Sequence, residues 1–368
     1  MQRTSTDLDP RLLSADARRS TPIVDANMSA MNDPLPRVAV ALPARDEAAC
    51  LPVCLAALDQ AAGRFGGAVT IVVVANNCAD ATSRVLADTQ LRHATLRPRA
   101  VTLLPRFRHA GWARRLAFDA AADALSADTD VLMSSDADTC VAPDWITRTV
   151  AYLDSGMDAV AGRALTRRDD RRALGHEAMR RLNLLGRYYT ALDWLRADAS
   201  PDPYDPWPRH FYEGGASIAL TLQTYRRIGG APTPALAEDR ALFAAVRAAG
   251  GRVRHPLDVR VFTSSRLNGR APGGMADAFA RWITQDLTAP LHETYAVPAA
   301  LDPIGATADD QLSFLTLPDA VARARAMIRA RRLRPPPQVE PILLPPLGMD
   351  NLDTVPHQAS QPLDGLVA

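Results

Sequence analysis

Between positions 38 and 134 the chain repeats one pattern four times: a short apolar run, a polar loop, then apolar residues at helical spacing. Val38 to Leu42 is the first run. Pro43 should end it, Ala44-Arg45-Asp46-Glu47 forms the loop, and Leu51, Leu55 and Leu58 follow on one helix face. The second run, Val69 to Ala75, opens onto Asn76-Asn77-Cys78-Ala79-Asp80 before a helix through Val85 and Leu86. A third strand is expected over Val101 to Leu104, leading through an Arg- and His-rich loop to a helix from about Gly111 to Leu125. Val131, Leu132 and Met133 are the fourth, and Pro143-Asp144 marks the next helix start. Short runs alternating with helices predict an α/β fold with a mostly parallel, twisted, Rossmann-like sheet flanked by helices. In such sheets the polar loops at the carboxyl ends of the strands converge on one crevice.

Beyond this core the signals loosen. A strand is expected within Gly156 to Arg163, then one long Arg-rich helix over Asp169 to Ala197. The segment SPDPYDPWPRHFYEGG is rich in proline and aromatic residues, and a short strand from Ala216 to Leu220 follows. Glu238-Asp239 opens a helix carrying Leu242, Phe243 and Val246, with strands near Val253 and over Val259 to Phe262. Periodicity fades after Trp282, leaving an Arg-rich helix from about Pro318 to Leu333 and a Pro-rich tail. The division that results is a disordered leader over 1–35, an α/β domain over 36–285, and a mainly helical or irregular C-terminal extension over 286–368.

Composition removes candidates. The chain has 368 residues and a formal charge of +1, which gives no global argument for nucleic acid. All 42 basic residues are arginine, which excludes a Walker phosphate loop, a kinase-type lysine and a Schiff base. Four scattered cysteines fit buried thiols in a reducing compartment better than a disulfide framework or zinc. No apolar stretch approaches the roughly 18 residues a membrane span needs, and the polar N-terminus lacks a signal-peptide core, so a cytoplasmic protein is expected. After the first strand the sequence reads LPARDE where a dinucleotide fold needs G-x-G-x-x-G.

The chemistry concentrates where the fourth strand ends. Asp136 and Asp138 stand one residue apart there and repel each other unless a cation intervenes. Oxygen-only ligands of this kind suit Mg2+ or Mn2+, ions that usually accompany substrate phosphates. An acidic helix cap is the competing reading.

With these residues assembled, positions 37 to 275 resemble the family 2 glycosyltransferases, which have the GT-A fold. LPARDE matches the family's first-strand Pro-x-x-Asn-Glu, with Asp46 replacing Asn. VVVANNCADATSRV is similar to its second-strand motif, GWARRLAFDAA to its Gly-x-x-Arg-Asn helix start, and SSDADTCVAPDWI to its Asp-x-Asp motif. EGGASIALTLQTYRRIGG resembles the donor-sugar loop and AEDRALFAAVRAAGGRV the Glu-Asp motif. The resemblance implies an inverting, metal-assisted enzyme that moves a sugar from a nucleotide-diphosphate sugar, UDP being favoured, to a small-molecule, lipid or glycan acceptor. It implies Asp138 as the direct ligand of Mn2+ or Mg2+, with Asp136 nearer the ribose or a metal-bound water, and a base within Glu238-Asp239, for which Asp239 is the choice. Donor contacts fall on Pro43, Arg45, Glu47, Asn77, Asp80, Arg114, Asp136, Gly214 and Gly215. Arg114 and Arg115 could equally form a solvated helix face, and the two glycines a simple turn. Tyr204, Trp207 and Glu213 are acceptor candidates, although aromatics between prolines often just pack a loop down. The family's metal-binding histidine near Thr263-Ser264 is missing, and His255 reads as a strand-end residue. The Gln-x-x-Arg-Trp motif and spans of processive synthases are absent too. The alternatives are a sugar-phosphate nucleotidylyltransferase, which lacks its Gly-rich loop and lysine here, and a non-catalytic nucleotide-sugar binder. Nucleic acid is not an expected partner, while peripheral membrane contact through the C-terminal Arg-rich helix stays open.

Overall fold

The computed structural model of the protein describes residues 35–291 and 312–332. Strands β1 (Val38–Ala44), β2 (Val69–Asn76), β3 (Thr95–Val101) and β4 (Val131–Ser134) pair in parallel in the order β3-β2-β1-β4. The helices between them are α1 (Leu51–Phe65), α2 (Thr82–Asp88) and α3 (Ala110–Ala122). Beyond β4 the sheet continues with β8 (Ile218–Thr221), β6 (Ala159–Ala161) and β9 (Val253–Arg254), β8 running antiparallel to both neighbours. A second sheet of three strands orders β5 (Thr139–Val141), β10 (Arg260–Thr263) and β7 (Arg163–Thr166).

Strand alternation divides the core between two faces. From β1, Val38, Val40 and Leu42 pack with Leu51, Leu55 and Leu58 of α1 and with Trp145 and Ile146 of α4 (Trp145–Asp154). Ala39 and Ala41 point the other way, toward Ala117, Phe118 and Ala121 of α3 and Leu242, Phe243 and Val246 of α8 (Glu238–Ala248). Small alanines at those β1 positions let α3 lie close over the sheet.

Three local expectations are corrected. Pro43 lies inside β1, pairing in register with Val74, because a parallel ladder can omit one donor near its end. The third strand is Thr95–Val101, earlier than Val101–Leu104. It is a mostly exposed edge strand carrying Arg97, Pro98 and Arg99, so it shows no apolar run. The long Arg-rich helix is broken at Gly175, whose φ of +82° divides α5 (Arg168–Leu174) from α6 (His176–Ala199).

Between β8 and α8, α7 (Leu222–Arg227) turns the chain back. A further helix, α9 (Met275–Thr284), contacts α6, as does α10 (Leu317–Arg332). The α10 residues Leu317, Ala320 and Val321 bury against Leu185, Tyr188 and Leu192 of α6. The expected leader, apart from Leu35, and the Pro-rich tail lie outside the described residues. Among the described residues no helix is long and apolar enough to cross a membrane.

Candidate active site

The carboxyl ends of β1 and β4 and the start of α8 face one cleft of about 430 Å³. Its centre is the Arg114 guanidinium, projected from α3 and only 6% exposed. It donates to Asp136 Oδ1 at 2.9 Å, Glu238 Oε1 at 3.1 Å, Ser134 Oγ at 3.1 Å and the Gly215 carbonyl at 3.1 Å. Burial alone would lower its pKa, but Asp136 and Glu238 more than offset this and raise it. One buried cation thus ties the end of β4 to the first turn of α8 and to the loop before β8. The solvated-face reading of Arg114 is excluded.

Asp239 lies beside this clamp. Its Oδ2 accepts the Gly215 N–H at 2.9 Å, and its Oδ1 accepts the Arg240 N–H at 2.8 Å. Burial, reinforced by the neighbouring Glu238 charge and opposed by Arg114, raises its pKa to about 6. Gly215 has no room for a side chain, since a Cβ there would lie 1.9 Å from Arg114 Nη2. The residue preceding α8, Ala237, is held at φ +60°. With Asp46 and Asn77 it is one of three non-glycine residues at positive φ among those described, and all three sit in loops at this end of the molecule.

Across the cleft, Arg266 bridges two acids. It donates to Glu47 Oε2 at 2.8 Å and to Glu47 Oε1, and its Nη2 lies 3.2 Å from Asp138 Oδ2. Burial raises the Asp138 pKa to about 6, reinforced by Asp136 and opposed by Arg266. Arg270 donates to the Asp46 carbonyl at 2.8 Å. The segment from Thr263 to Gly274 therefore crosses the cleft as a strap, fastened to the β1 loop by two guanidiniums.

The aromatic segment is anchored by buried charges. Asp205 and Glu213 flank His255, with Nδ1 2.7 Å from Asp205 Oδ2 and Nε2 3.1 Å from Glu213 Oε1. Two carboxylate acceptors require both ring nitrogens to be protonated, and these hydrogen bonds outweigh burial to raise the His255 pKa. Arg254 and Arg209 also pair with Asp205, Arg247 with Glu213, and Arg209 with Asp193 of α6. His210 donates from Nε2 to the Ala161 carbonyl and accepts the Tyr212 N–H at Nδ1. Burial, and then the His255 charge, push its pKa down to about 3. A segment without helix or strand is thus held by a buried ionic network. His255 is an anchor of that network, which its place at a strand end did not reveal.

Of the residues nominated from sequence, the cleft brings together Pro43, Arg45, Glu47, Arg114, Asp136, Asp138, Gly215, Glu238 and Asp239. It does not bring in Asn77, Asp80, Gly214, Tyr204, Trp207 or Glu213. Asn77 exchanges hydrogen bonds with the backbone of Leu103, and its neighbour Asn76 lines the cleft instead. Asp80 is exposed and holds Thr82 and the Ala48 N–H. Gly214 packs under the Tyr212 ring, Glu213 is committed to His255 and Arg247, and Tyr204 lies beneath the Arg252 guanidinium. Arg266, Arg270, Tyr212, Leu236, Met275 and Phe279 also line the cleft, although no sequence motif nominates them. The signal in the sequence was slight, two arginines four positions apart in a chain rich in arginine.

A divalent ion was expected at the acidic pair. Asp136 uses Oδ1 for Arg114 and Asp138 uses Oδ2 for Arg266, so each keeps a second oxygen. This oxygen-only set fits a hard cation whose remaining ligands come from phosphate oxygens and water.

Residues 39–205, the stretch carrying the four parallel strands and the acidic pair, match the family described as glycosyl transferase family 2. No curated protein matches it. Among solved structures, TarS of S. aureus in complex with UDP-GlcNAc is 12% identical, with a TM-score of 0.44 over 65% of this chain and 61% of that one, less than two thirds of its length. The mannosyltransferase PcManGT from Pyrobaculum calidifontis, in complex with GDP-Man and Mn2+, is 19% identical, with a TM-score of 0.42 over 81% and 75%. Glucosyl-3-phosphoglycerate synthase from Mycobacterium tuberculosis, with Mn2+, UDP and phosphoglyceric acid, is 17% identical, with a TM-score of 0.40 over 67% and 77%.

Proposed function

We propose that the protein transfers a sugar from a nucleoside diphosphate donor to an acceptor hydroxyl with inversion, Asp239 serving as general base. The observation that supports this is the shared cleft: Asp138 and Asp239 both line it, and Arg114 braces the acidic pair against the helix that carries the base. In the reaction the acceptor oxygen bonds to the anomeric carbon as the carbon–oxygen bond to diphosphate breaks. The leaving diphosphate takes the bonding electrons, and the hydroxyl proton passes to the Asp239 carboxylate. A pKa of about 6 keeps most of that carboxylate ionised at neutral pH while leaving it basic enough to accept a proton. Pro43, Arg45, Glu47 and Asn76 frame the nucleoside on this reading, and Arg266 and Arg270 meet the charge on the phosphates. Mn2+ or Mg2+, held by Asp138 and Asp136, would supply further electrostatic stabilisation of the leaving group. UDP is the nucleotide that the family resemblance favours.

The test uses nucleotide release from a panel of UDP-, GDP- and dTDP-sugars, with a parallel thermal-shift titration of each donor. Asp239→Asn should lower turnover by about 10²- to 10⁴-fold while the donor still stabilises the fold. Full turnover in Asp239→Asn, or no stabilisation by any nucleotide with Mn2+ or Mg2+ present, would remove the proposal.

A further inference from the structure

The cleft lining holds two sets of side chains of unlike chemistry, which adjoin in the strap at Arg270 and Pro272. One is charged, with Glu47, Asp136, Asp138, Arg266 and Arg270. The other is formed by Ala235 and Leu236, which lead into α8, by Pro272 in the strap, and by Met275, Ala276 and Phe279 of α9. Leu236 is 38% exposed although it packs beside Gly273, where a Cβ would lie 3.4 Å from it. It stands three residues before Asp239, so the apolar wall begins where the proposed base is presented.

In α9, Met275 and Phe279 are one turn apart and therefore share a face. The Phe279 ring centroid lies 6.0 Å from Trp282, which packs against the α6–α10 cluster and so anchors this face of the helix beside the cleft. Of all α9 residues only Ala278 is buried, so this face is left partly open where it meets the cleft. The uncharged polar side chains in the cleft lining are Asn76, His109, Tyr212, Thr263 and Ser264. His109 lines the cleft with Nδ1 buried and without a hydrogen-bond partner, and Arg108 accompanies it. A saccharide acceptor carries hydroxyls all round and needs several such partners to replace its water. An alcohol on an apolar body needs one polar contact and a surface to bury.

Resting on the proposed transfer reaction, we infer that the acceptor is an amphiphilic alcohol: its hydroxyl meets Asp239, and its aliphatic or aromatic body lies against Leu236, Met275 and Phe279. The donor then occupies the charged wall, and the two substrates meet at the anomeric carbon with unlike solvation on either side.

The experiment supplies the full chain with the nucleotide sugar that stabilises it. It then compares nucleotide release with 1-octanol and 2-naphthol against release with glucose and maltose at equal concentration. Competition of the same four compounds with anilinonaphthalene sulfonate fluorescence gives a binding readout that needs no turnover. Octanol or naphthol should accelerate release and displace the dye. Leu236→Ser and Phe279→Ala should each raise the KM of that acceptor by about tenfold, the scale for one aliphatic contact in a pocket, with the KM of the donor as internal reference. Acceleration by glucose or maltose equal to that by octanol and naphthol, or dye competition unaffected by either substitution, would overturn the assignment. If no donor binds, the transfer reading fails by itself, and the dye competition still decides whether this wall takes an apolar ligand.

Discussion

Replacing Arg114 by methionine removes the positive charge and keeps much of the side-chain volume. What remains is Asp136 and Glu238 without their shared partner, and Ser134 Oγ and the Gly215 carbonyl each short of a hydrogen bond. Breaking a buried ion pair from one side costs about 3–5 kcal/mol, and two acids are uncovered here. At roughly 2–4 °C per kcal/mol for a domain of this size, the melting temperature should fall by about 6–20 °C. Urea unfolding at pH 7.5 measures the loss directly. Adding Asp136→Asn and Glu238→Gln turns two uncompensated charges into neutral groups and should restore a large part of it, because an unpaired neutral group costs only about 1–3 kcal/mol. Arg114 also opposes the upward shift of Asp239, so that carboxyl should titrate above about 6 in Arg114→Met, as read by carbon NMR of the aspartate side chains. A single variant within 1 kcal/mol of the parent, or a triple variant no more stable than the single one, would refute the view of Arg114 as the charge that holds this site together.

Three further outcomes are expected. The kcat/KM profile should fall on its acid side with an apparent pKa of about 6, since Asp239 must be ionised to act; a limb near 4 would remove it as the base. His255 is protonated more readily in the fold than in the unfolded chain, so its contribution to stability is complete below about pH 6.5 and is lost as pH rises through the higher folded value. His255→Gln should flatten that decline between pH 6 and 9 in thermal melts, and a parallel curve would show that the imidazolium contributes nothing. Gly215→Ala should destabilise by about 1–3 kcal/mol because its Cβ would overlap the Arg114 guanidinium. Gly186→Ala in α6, where nothing lies within 4 Å, should instead stabilise by about 0.5–1 kcal/mol; equal effects in denaturant melts would contradict the steric account.

The parts of this architecture that the sequence displays are those written as local periodicity. Val38–Leu42, Val69–Ala75 and Val131–Met133 are apolar because both faces of a central parallel strand are covered. The edge strand β3 shows none of this, since solvent on its outer side removes the need for apolar residues. The acidic pair and Glu238-Asp239 were readable as motifs. Their union was not, because Arg114 joins residues 22, 101 and 124 positions away. Between Asn76 and Asn77 only the backbone decides. The positive φ of Asn77 turns its amide onto Leu103 and leaves the preceding side chain on the cleft. The buried role of Asp205, Glu213 and His255 was hidden for the same reason: the matching charges lie 42 and 50 residues apart.

A protein whose basic residues are all arginine carries cations that keep their proton under any condition in which it stays folded. Arg114, Arg266 and Arg270 therefore form a fixed background of positive charge in the cleft, as constant as its shape. Acidity alters that potential through the carboxyls, imidazoles, thiols and phenols alone, so any response to pH traces to groups other than these cations. The same composition leaves no lysine ε-amine for acylating or amine-directed crosslinking reagents to find.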